Sequence, residues 1–509
     1  MLHQVVTRPN YDKTSSVDEH PIRMEPALPS EIEIKLDLSN EALESLLGSD
    51  LLGDPDEALQ QSSTYFETGD RRLSQKGFSL RIRSTGASHI QTVKTSGPAK
   101  SLFVRSEWET PIEGNEPVLD HTSPLISEFG LELEVEAAFT VFIERRVWNI
   151  ELNGSRLEVV VDRGDVVSGN RRSPVQEIEV ELKDGDPKDL FIFIRKIDAI
   201  APFRFGIQSK SERGLALLDR QQFMFKAEHL DLDRNTKASA AFREIAASCF
   251  RQFRLNEEIL RQRRNSEALH QARVALRRLR SAFSLFRPLL MGDEPKRIQE
   301  ELRWLAGVLG EARNLDVLLM KAKDSDLRAK LKDARNKAYS DAVEALESAR
   351  ARALMLDFNE WLQCDLDRAG GSATSEDTSA SEFAARALDK MRKKLKKYGS
   401  ALAETDDEHR HQVRKDAKKL RYAAEFFGSL FDDKRGTRRH RKFIAAMEEL
   451  QDHLGALNDL ATGPNVLQQH GLADHPARES VVSHDDKNAL IRMAQSSVDE
   501  VIDTKRFWR

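Results

Sequence analysis

Between residues 31 and 214, charged side chains alternate with apolar ones, and the two signs of charge occupy different segments. Glutamates stand at every second position in two segments, one with Glu31 and Glu33 and the other with Glu177, Glu179 and Glu181. The bases of other segments are Arg81, Arg83, Lys94, Arg105 and Arg146. Like charges at this spacing on a strand lie about 6–7 Å apart and repel one another. Such rows are stable where cations neutralise the acids and an anion neutralises the bases.

These residue types favour one kind of ligand, an oligophosphate bound together with a divalent metal. Mg²⁺ prefers oxygen ligands and is commonly held by a few carboxylates and by substrate phosphates. Arginine and lysine bind phosphate oxygens, arginine often through two parallel hydrogen bonds. An enclosed pore with acids on one wall and bases on the other therefore suits a metal–oligophosphate complex. The alternative for any single strip is an ordinary solvated sheet face.

A second set of basic residues recurs in two copies in the second half of the chain. His270, Arg273, Arg277 and Arg280 form the first copy, and His411, Arg414, Lys418 and Arg421 form the second at the same spacing. At about 100° per residue, each set lies within about 80° of arc on one helix face. Two matched basic faces favour anion binding over a plain solvated surface. The lack of interleaved aromatic residues disfavours nucleic acid, and the lack of a nearby nucleophile disfavours a catalytic histidine.

The elements that must carry these residues differ between the two halves. Residues 31–214 alternate with a period of two, which predicts an antiparallel sheet or barrel, with helices inserted at 40–52 and 187–200. Later apolar residues recur every three or four positions, which predicts helices that include 238–264, 266–286, 296–309 and 315–357. The repeated basic motif indicates duplication of one helical unit. The low-complexity segment 370–381 predicts a flexible linker between the copies.

Composition limits the class of protein. The chain has 509 residues, of which 39% are hydrophobic and 32% charged, with a formal net charge of −5. This is typical of a soluble, charge-rich, multidomain protein. Its two cysteines, Cys249 and Cys364, exclude a disulfide scaffold and a cysteine zinc site. No apolar run reaches the length of about 18 residues that a membrane span needs, and the polar N-terminal stretch lacks a signal-peptide core. We therefore expect a cytoplasmic protein without a membrane partner.

The first half resembles the CYTH domain of the triphosphate tunnel metalloenzymes. The resemblance is carried, in order, by Glu31-x-Glu33-x-Lys35, Leu80-Arg81-Ile82-Arg83, Gln91-Thr92-Val93-Lys94, Arg105 to Glu109, Arg145-Arg146, Asp162, Glu177-x-Glu179-x-Glu181 and Lys210 within Ser209 to Gly214. It implies an eight-stranded antiparallel β-barrel that forms a tunnel, and hydrolysis of a triphosphate with Mg²⁺ or Mn²⁺. The implied phosphate-binding, catalytic residues are Lys35, Arg81, Arg83, Lys94, Arg105, Arg146 and Lys210. The implied metal ligands are Glu31, Glu33, Asp162, Glu177, Glu179 and Glu181.

The second half resembles the CHAD domain, the conserved histidine α-helical domain. The motifs are H-x-x-R-x-x-x-R-R-x-R from His270 and H-x-x-R-K-x-x-K-K-x-R-Y from His411. The resemblance implies two pseudo-symmetric four-helix bundles that bind inorganic polyphosphate. The implied polyphosphate-binding residues are His270, Arg273, Arg277, Arg280, His411, Arg414, Lys415, Lys418 and Arg421. The predicted organisation is a flexible tail (1–28), the CYTH domain (29–220) and the CHAD domain (235–509), with halves 235–365 and 382–509 and a linker at 366–381.

The sequence therefore predicts a metal-dependent hydrolase of inorganic triphosphate, releasing diphosphate and phosphate, fused to a polyphosphate-binding module. Two alternatives remain open at this point. The first is another activity of the same tunnel family, a nucleoside or thiamine triphosphatase or an adenylyl cyclase. The second is a non-catalytic protein that binds polyphosphate through both halves and targets the chain to it.

Overall fold

The computed structural model describes residues 32–95, 106–121, 123–219, 222–366, 378–481 and 486–509. Several predictions fall outside these ranges. They are the tail at 1–28, the candidate metal ligand Glu31, the candidate phosphate ligand Arg105 and most of the predicted linker.

The first half is a nine-stranded antiparallel sheet. The strands are β1 (Ile32–Leu38), β2 (Glu57–Glu67), β3 (Phe78–Thr85), β4 (Ser88–Thr95), β5 (Ser106–Ile112), β6 (Glu136–Leu152), β7 (Ser155–Ser168), β8 (Arg171–Asp184) and β9 (Phe203–Phe205). Their order in the sheet is β5-β4-β3-β2-β6-β7-β8-β1-β9. The prediction of an antiparallel sheet domain followed by a helical domain is confirmed. The closed, eight-stranded barrel is not seen, because β9 adds a ninth strand beside β1, and β5 and β9 remain as edges within the described residues.

The alternating strands divide the sheet into an apolar face and a polar face. On β1, Ile34, Leu36 and Leu38 are buried in the core, whereas the charged residues between them project to the opposite face. Two helices, α1 (Asn40–Leu47) and α4 (Pro187–Ile200), bury apolar residues in the same core. The other helices of this half are α2 (Arg72–Gln75), α3 (Pro124–Phe129) and α5 (Lys210–Leu218). The polar face is therefore the face available to a charged ligand.

The second half is helical and duplicated. Its helices are α6 (Ala238–Gln262), α7 (Ser266–Leu285), α8 (Glu294–Lys321), α9 (Ser325–Glu347), α10 (Ala349–Glu360), α11 (Ala380–Gly399), α12 (Asp407–Phe426), α13 (Lys434–Gln469) and α14 (Lys487–Asp503). Consecutive helices pack in each copy, α6 to α9 in the first and α11 to α14 in the second, and α10 is an additional helix that packs on α8, α9 and α4. The copies meet where α7 packs on α12, through an Arg278–Glu425 ion pair at 2.6 Å.

Part of the predicted linker is ordered. Ser379 pairs with Lys237 in an isolated β-bridge, and Ala380 N donates to Thr236 O at 2.8 Å. The Ser379 side chain accepts a hydrogen bond from Glu382 N and caps α11, so the helix begins at Ala380. Residues 379 and 380 therefore contact both helical copies, and the bounds of the linker stay a prediction.

The sheet and the helices share one continuous apolar core. Phe205 of β9 packs edge-on against Phe250 of α6, with ring centroids 5.9 Å apart. Ion pairs border this contact, with Arg195 at 2.7 Å from Asp357. Among the described residues, the helices all fall short of the length and apolar character needed to cross a lipid bilayer.

Candidate functional site

Strand register brings the predicted acids together on the polar face. Across the β1–β8 ladder, Glu33 lies opposite Glu181, Lys35 opposite Glu179 and Asp37 opposite Glu177. The next ladders place Asp162 of β7 opposite Glu177 and Arg145 of β6 opposite Asp162. Residues that pair directly across antiparallel strands share a face. The rows inferred from the sequence therefore form one continuous charged surface over four strands.

Three carboxylates at the centre of this surface form an acidic cluster, defined as Asp162, Glu177 and Glu179. Each offers an oxygen within 4.8 Å of those of the other two. Asp162 is 0% exposed and Glu177 is 1% exposed, so water cannot screen their repulsion. A buried group of like charges is stable only with opposite charges beside it.

Three cations that each bridge two or more of these acids provide most of that neutralisation. Lys210 Nζ lies 2.6 Å from Asp162, 2.5 Å from Glu177 and 3.1 Å from Glu179. Lys35 pairs with Glu179 and lies 3.6 Å from Glu177. Arg145 binds Asp162 through two hydrogen bonds, of 2.8 and 2.6 Å, and reaches Glu179 at 3.3 Å. Each cation therefore bridges at least two acids, as a charge network requires.

The network strongly shifts the pKa values of Glu179 and Lys35. Burial alone raises the pKa of Glu179, but Lys210, Lys35 and Arg145 outweigh burial and hold that pKa well below its ordinary value. Burial alone lowers the pKa of Lys35, but Glu179, Glu177 and Glu33 raise that pKa well above its ordinary value. These groups are therefore charged at neutral pH, and the cluster is poised to exchange one set of counter-ions for another.

Helix α5 delivers one of these cations from outside the sheet. Lys210 is the first residue of α5, and the helix starts with a capping box between Ser209 and Glu212. The helix lies across β6, β7 and β8. Its Gly214 meets the ring of Phe139, where a Cβ would approach to 2.0 Å of ring carbon Cε2, so only glycine fits this close contact. The cap and this glycine fix where Lys210 enters the cluster.

Basic residues lie further round the polar face. Arg81 and Arg83 of β3 lie opposite Tyr65 and Ser63 of β2. Burial, followed by the charges of Arg81 and Arg145, lowers the pKa of Arg83. Burial raises the pKa of Tyr65, but the cations Arg81, Lys210 and Lys94 outweigh it and lower that pKa. The positive charge collected here is what an anion would neutralise.

The acidic cluster fits a hard divalent cation. All its donors are carboxylate oxygens, the ligand type that Mg²⁺ and Mn²⁺ prefer, and they converge closely enough to share one ion. The predicted ligands Glu33 and Glu181 border the cluster instead, with Glu33 at 3.3 Å from Lys35 and Glu181 at 2.9 Å from Lys183. Which divalent ion the cluster prefers stays a prediction.

Arg146 does not join the site, and its neighbour Arg145 does. Arg146 pairs with Glu144 at 2.6 Å, and the two side chains are 40% and 39% exposed. The reason is the pleat, because adjacent residues of a strand project to opposite faces and Arg145 already projects to the acids. Sequence reasoning also missed Arg213, which reaches Asp37 at 2.7 Å and Glu177 at 3.0 Å. The signal that could have found Arg213 is its place in the segment from Ser209 to Gly214, which also carries Lys210.

In the helical half, the two basic motifs meet in one place. We define the basic cluster as Arg273 and Arg277 of α7 with Arg414 and Lys418 of α12. Burial, followed by Arg277 and Arg313, lowers the pKa of Arg273 to about 10. Burial, followed by Arg277, Arg414 and Arg273, lowers the pKa of Lys418 to about 7. Because residues of one copy depress the pKa of the other, the copies form a shared anion-attracting surface.

Two buried nitrogens of the basic cluster have no acceptor. Arg273 Nη1 and Arg414 Nε lack hydrogen-bond partners among the described residues. Gly310 of α8 leaves room for Arg273, because a Cβ there would come within 2.7 Å of Nη1. Unmet donors of a charged group are costly unless a ligand or water satisfies them. This arrangement favours an anion with several oxygens.

The remaining predicted residues of the helical half have different surroundings. Burial, followed by Arg313, lowers the pKa of His270 to about 4, so its imidazole is neutral at pH 7. Burial, followed by Lys415 and Arg414, lowers the pKa of His411. Arg421 pairs with Glu425 at 2.8 Å and Glu448 at 3.2 Å and is therefore largely neutralised. Arg280 lies beside Arg303, and Lys415 is exposed.

Comparison with known proteins agrees with this division. The family model of the CYTH domain matches residues 29–215, and that of the CHAD domain matches residues 244–468. An inorganic triphosphatase of Haemophilus influenzae is 32% identical over 165 residues, which are 32% of this chain and 47% of that protein. The uncharacterized protein MT2285 of Mycobacterium tuberculosis is 31% identical over 182 residues, 32% of this chain and 34% of that protein. The chain thus spans less than half of the length of either relative.

Two solved structures are similar to separate parts of the chain. The crystal structure of the CHAD domain from the plant Ricinus communis is 30% identical, with a TM-score of 0.46, and the match covers 54% of this chain and 96% of that one. A putative adenylyl cyclase from Hippeastrum, described as having a dominant triphosphatase activity, is 21% identical, with a TM-score of 0.28, and covers 36% of this chain and 95% of that one. On the family matches, the chain is a two-domain protein in which a CYTH domain at residues 29–215 is followed by a CHAD domain at residues 244–468.

Proposed function

We propose that the CYTH domain hydrolyses inorganic triphosphate with a divalent metal ion, and that the CHAD domain binds inorganic polyphosphate. The observation that carries the first part is the buried acidic cluster interleaved with Lys35, Lys210 and Arg145. The similarity to an inorganic triphosphatase supports the choice of substrate. A surface with both signs of charge at this density suits a substrate that is itself a metal–anion complex.

The acids and bases of the polar face have separate roles in this proposal. Asp162, Glu177 and Glu179 would hold Mg²⁺ or Mn²⁺, which when bound supplies charge neutralisation and polarisation of the phosphoryl group. Lys35 and Lys210, which contact the same acids, would bind the phosphate oxygens of the substrate. Cations placed before the reaction begins stabilise charge that develops on the transferred group without the cost of reorganising solvent.

The remaining predicted residues are part of the same proposal. Arg81, Arg83 and Lys94 extend the phosphate-binding surface. Glu33 and Glu181 supply further carboxylates at the border of the metal site. Glu31 as a metal ligand and Arg105 as a phosphate ligand lie outside the described residues, and their roles stay as the family resemblance implies. Arg145 takes the place that the sequence had suggested for Arg146, because it contacts the acidic cluster.

A substrate panel tests the activity. Phosphate release is measured from tripolyphosphate, ATP and thiamine triphosphate, each with Mg²⁺ and with Mn²⁺ and after chelation. We expect tripolyphosphate to be hydrolysed in preference to the organic triphosphates, and no hydrolysis without metal. Equal turnover of ATP would contradict the choice of inorganic triphosphate, and cyclic AMP as a product would favour the adenylyl cyclase alternative.

The proposed polyphosphate site is the basic cluster of the CHAD domain, together with His270 and His411. Its support is the pair of buried arginine nitrogens without acceptors and the depressed pKa of Lys418, both of which a polyanion would relieve. The neutral imidazole of His270 can donate a hydrogen bond beside these cations. Arg280, Lys415 and Arg421 lie on the outer parts of the same motifs and would make weaker contacts.

The second candidate function is binding alone, in which both halves capture polyphosphate and no bond is broken. The basic cluster favours it, since buried arginine nitrogens without an acceptor among the described residues suit binding of an anion without any bond being broken. The substrate panel separates the two candidates, and a variant of the CHAD domain tests the division of labour between the domains. Neutralising Arg273, Arg277, Arg414 and Lys418 together should abolish retention of long-chain polyphosphate and leave tripolyphosphate turnover nearly normal. Loss of hydrolysis in that variant would refute this division of labour between the domains.

A further inference from the structure

The helical domain binds the segment that completes the polar face. We define the closing segment as β9, α5 and the loop between them, from Phe203 to Leu218. Its loop packs on β1, where Gly206 N donates to Lys35 O at 2.7 Å. A Cβ on Gly206 would lie 2.9 Å from Lys35 Cγ, so the loop and this lysine are in tight contact. The placement of the segment therefore sets the position of Lys35 as well as that of Lys210.

Two arginines of α6 contact this segment across the domain boundary. Arg251 donates to Ile207 O at 2.5 Å and pairs with Glu212 Oε1 at 2.5 Å. Arg254 is 4% exposed and donates from Nε and Nη2 to Phe205 O, at 3.2 Å each. Both arginines thus hold backbone carbonyls of the loop region, and Arg251 also holds the start of α5. Because Arg251 binds a carbonyl and a carboxylate at the same time, it fixes both the orientation of the closing segment and its distance from α6.

Glu212 connects these contacts of α6 to the acidic cluster. Its Oε2 accepts from Ser209 N at 2.8 Å and so caps α5, while its Oε1 faces Arg251. Lys210, two residues before it, and Arg213, directly after it, both contact Glu177. A displacement of Glu212 would therefore move two cations of the cluster together. A shift of about 1 Å in a group near the reacting atoms is enough to cost about 100-fold in rate.

We propose that Arg251 of the CHAD domain is a positioning residue for the CYTH site, acting through Glu212 on Lys210 and Arg213. The inference rests on the proposed hydrolysis of triphosphate and extends it: the CHAD domain contributes to the chemistry of the CYTH domain through these contacts of α6, independently of polyphosphate. Among the described residues, Arg251 contacts Ile207, Glu212 and Glu228 and no member of the acidic cluster, so it is not a catalytic residue.

The test compares Arg251→Ala with a matched control at the same domain boundary. Arg195 pairs with Asp357 at 2.7 Å and Glu360 at 2.5 Å but does not contact the closing segment. In full-length protein with tripolyphosphate and Mg²⁺ or Mn²⁺, we expect Arg251→Ala to lower kcat at least about 10-fold with a smaller change in KM. Arg195→Ala also removes an arginine of the domain boundary, one that is 43% exposed, and should keep both constants within about twofold of wild type.

Two conservative variants distinguish positioning from a general loss of folding. The lysine of Arg251→Lys can pair with Glu212 or donate to Ile207 O, but it cannot do both at once as the guanidinium does. Its kcat should therefore lie between those of Arg251→Ala and wild type. Glu212→Gln keeps the helix cap, because glutamine also accepts from Ser209, and removes the charge that faces Arg251. It should lower kcat by a few-fold while polyphosphate retention stays normal.

The outcomes separate this inference from the proposed function. An active wild type whose Arg251→Ala variant has unchanged kcat overturns the inference alone. A wild type that does not hydrolyse tripolyphosphate overturns the proposed function, and this inference with it. If Arg251→Ala loses cooperative thermal unfolding, Arg251→Lys and Glu212→Gln decide, and wild-type kcat in both of them overturns the inference.

Discussion

Two adjacent arginines on β6 give the sharpest test of the proposed site. Arg145 contacts the acidic cluster and Arg146 pairs with Glu144 on the opposite face. Replacing each by alanine removes the same side chain from the same strand, one residue apart. The two variants therefore differ almost only in the face from which charge is lost.

The expected magnitudes follow from burial. Arg145 is 18% exposed and binds the fully buried Asp162. Removing one partner of a buried ion pair costs about 3–5 kcal/mol, and the lower end applies because Lys210 still neutralises Asp162 at 2.6 Å. The Arg146–Glu144 pair is about 40% exposed on both sides, and pairs of this kind contribute about 0–1 kcal/mol. Loss of one preorganised cation or donor at a reacting group costs about 10²–10³ in kcat.

The assay measures phosphate release from tripolyphosphate, with urea unfolding of each variant to give its free energy of unfolding. We expect Arg145→Ala to lose about two to three orders of magnitude in kcat and Arg146→Ala to stay within about twofold of wild type. A folded Arg146→Ala variant without activity, beside an active Arg145→Ala variant, would refute the assignment of faces on which the site depends.

Three further predictions concern the metal site and the basic cluster. Glu179→Gln should abolish metal-dependent hydrolysis and weaken Mn²⁺ binding measured by calorimetry, while polyphosphate retention by the CHAD domain stays normal. Polyphosphate binding should weaken as pH rises through about 7, because Lys418 has a pKa of about 7 in the free protein and must take up a proton to pair with the anion. The expected loss of affinity is at most about tenfold per pH unit. In binding titrations between pH 6 and 9, Lys418→Met should flatten this dependence. Gly310→Ala should lower polyphosphate affinity because its Cβ would displace Arg273. The control is Gly307→Ala, which has open space around its Cβ. This control should bind polyphosphate normally and gain up to about 1 kcal/mol in stability.

Local patterns predicted some elements closely and others poorly. The inserted helix expected at 187–200 is α4, with the same bounds, because Asp186 caps it and Pro187 opens it. The helical stretches predicted at 296–309 and 315–357 are divided differently in the structure, where α8 runs without interruption from Glu294 to Lys321. Gly310 lies inside α8, and the space that its missing side chain leaves is occupied by Arg273 of another helix.

The sequence by itself indicated that rows of acids and rows of bases lie on different strands, that a basic helical motif is duplicated, and that the two halves have different folds. The strands and the helices follow from periodicities of two and of about 3.6 residues, which depend only on near neighbours in the chain, and the duplication follows from the repeated motif itself. The tertiary structure decided which of two adjacent arginines joins the acids, that the sheet stays open at β5 and β9, and that Arg251 grips the closing segment. These depend on pairings between distant residues, such as Lys35 with Glu179, and no local pattern fixes the register in which such strands and domains meet.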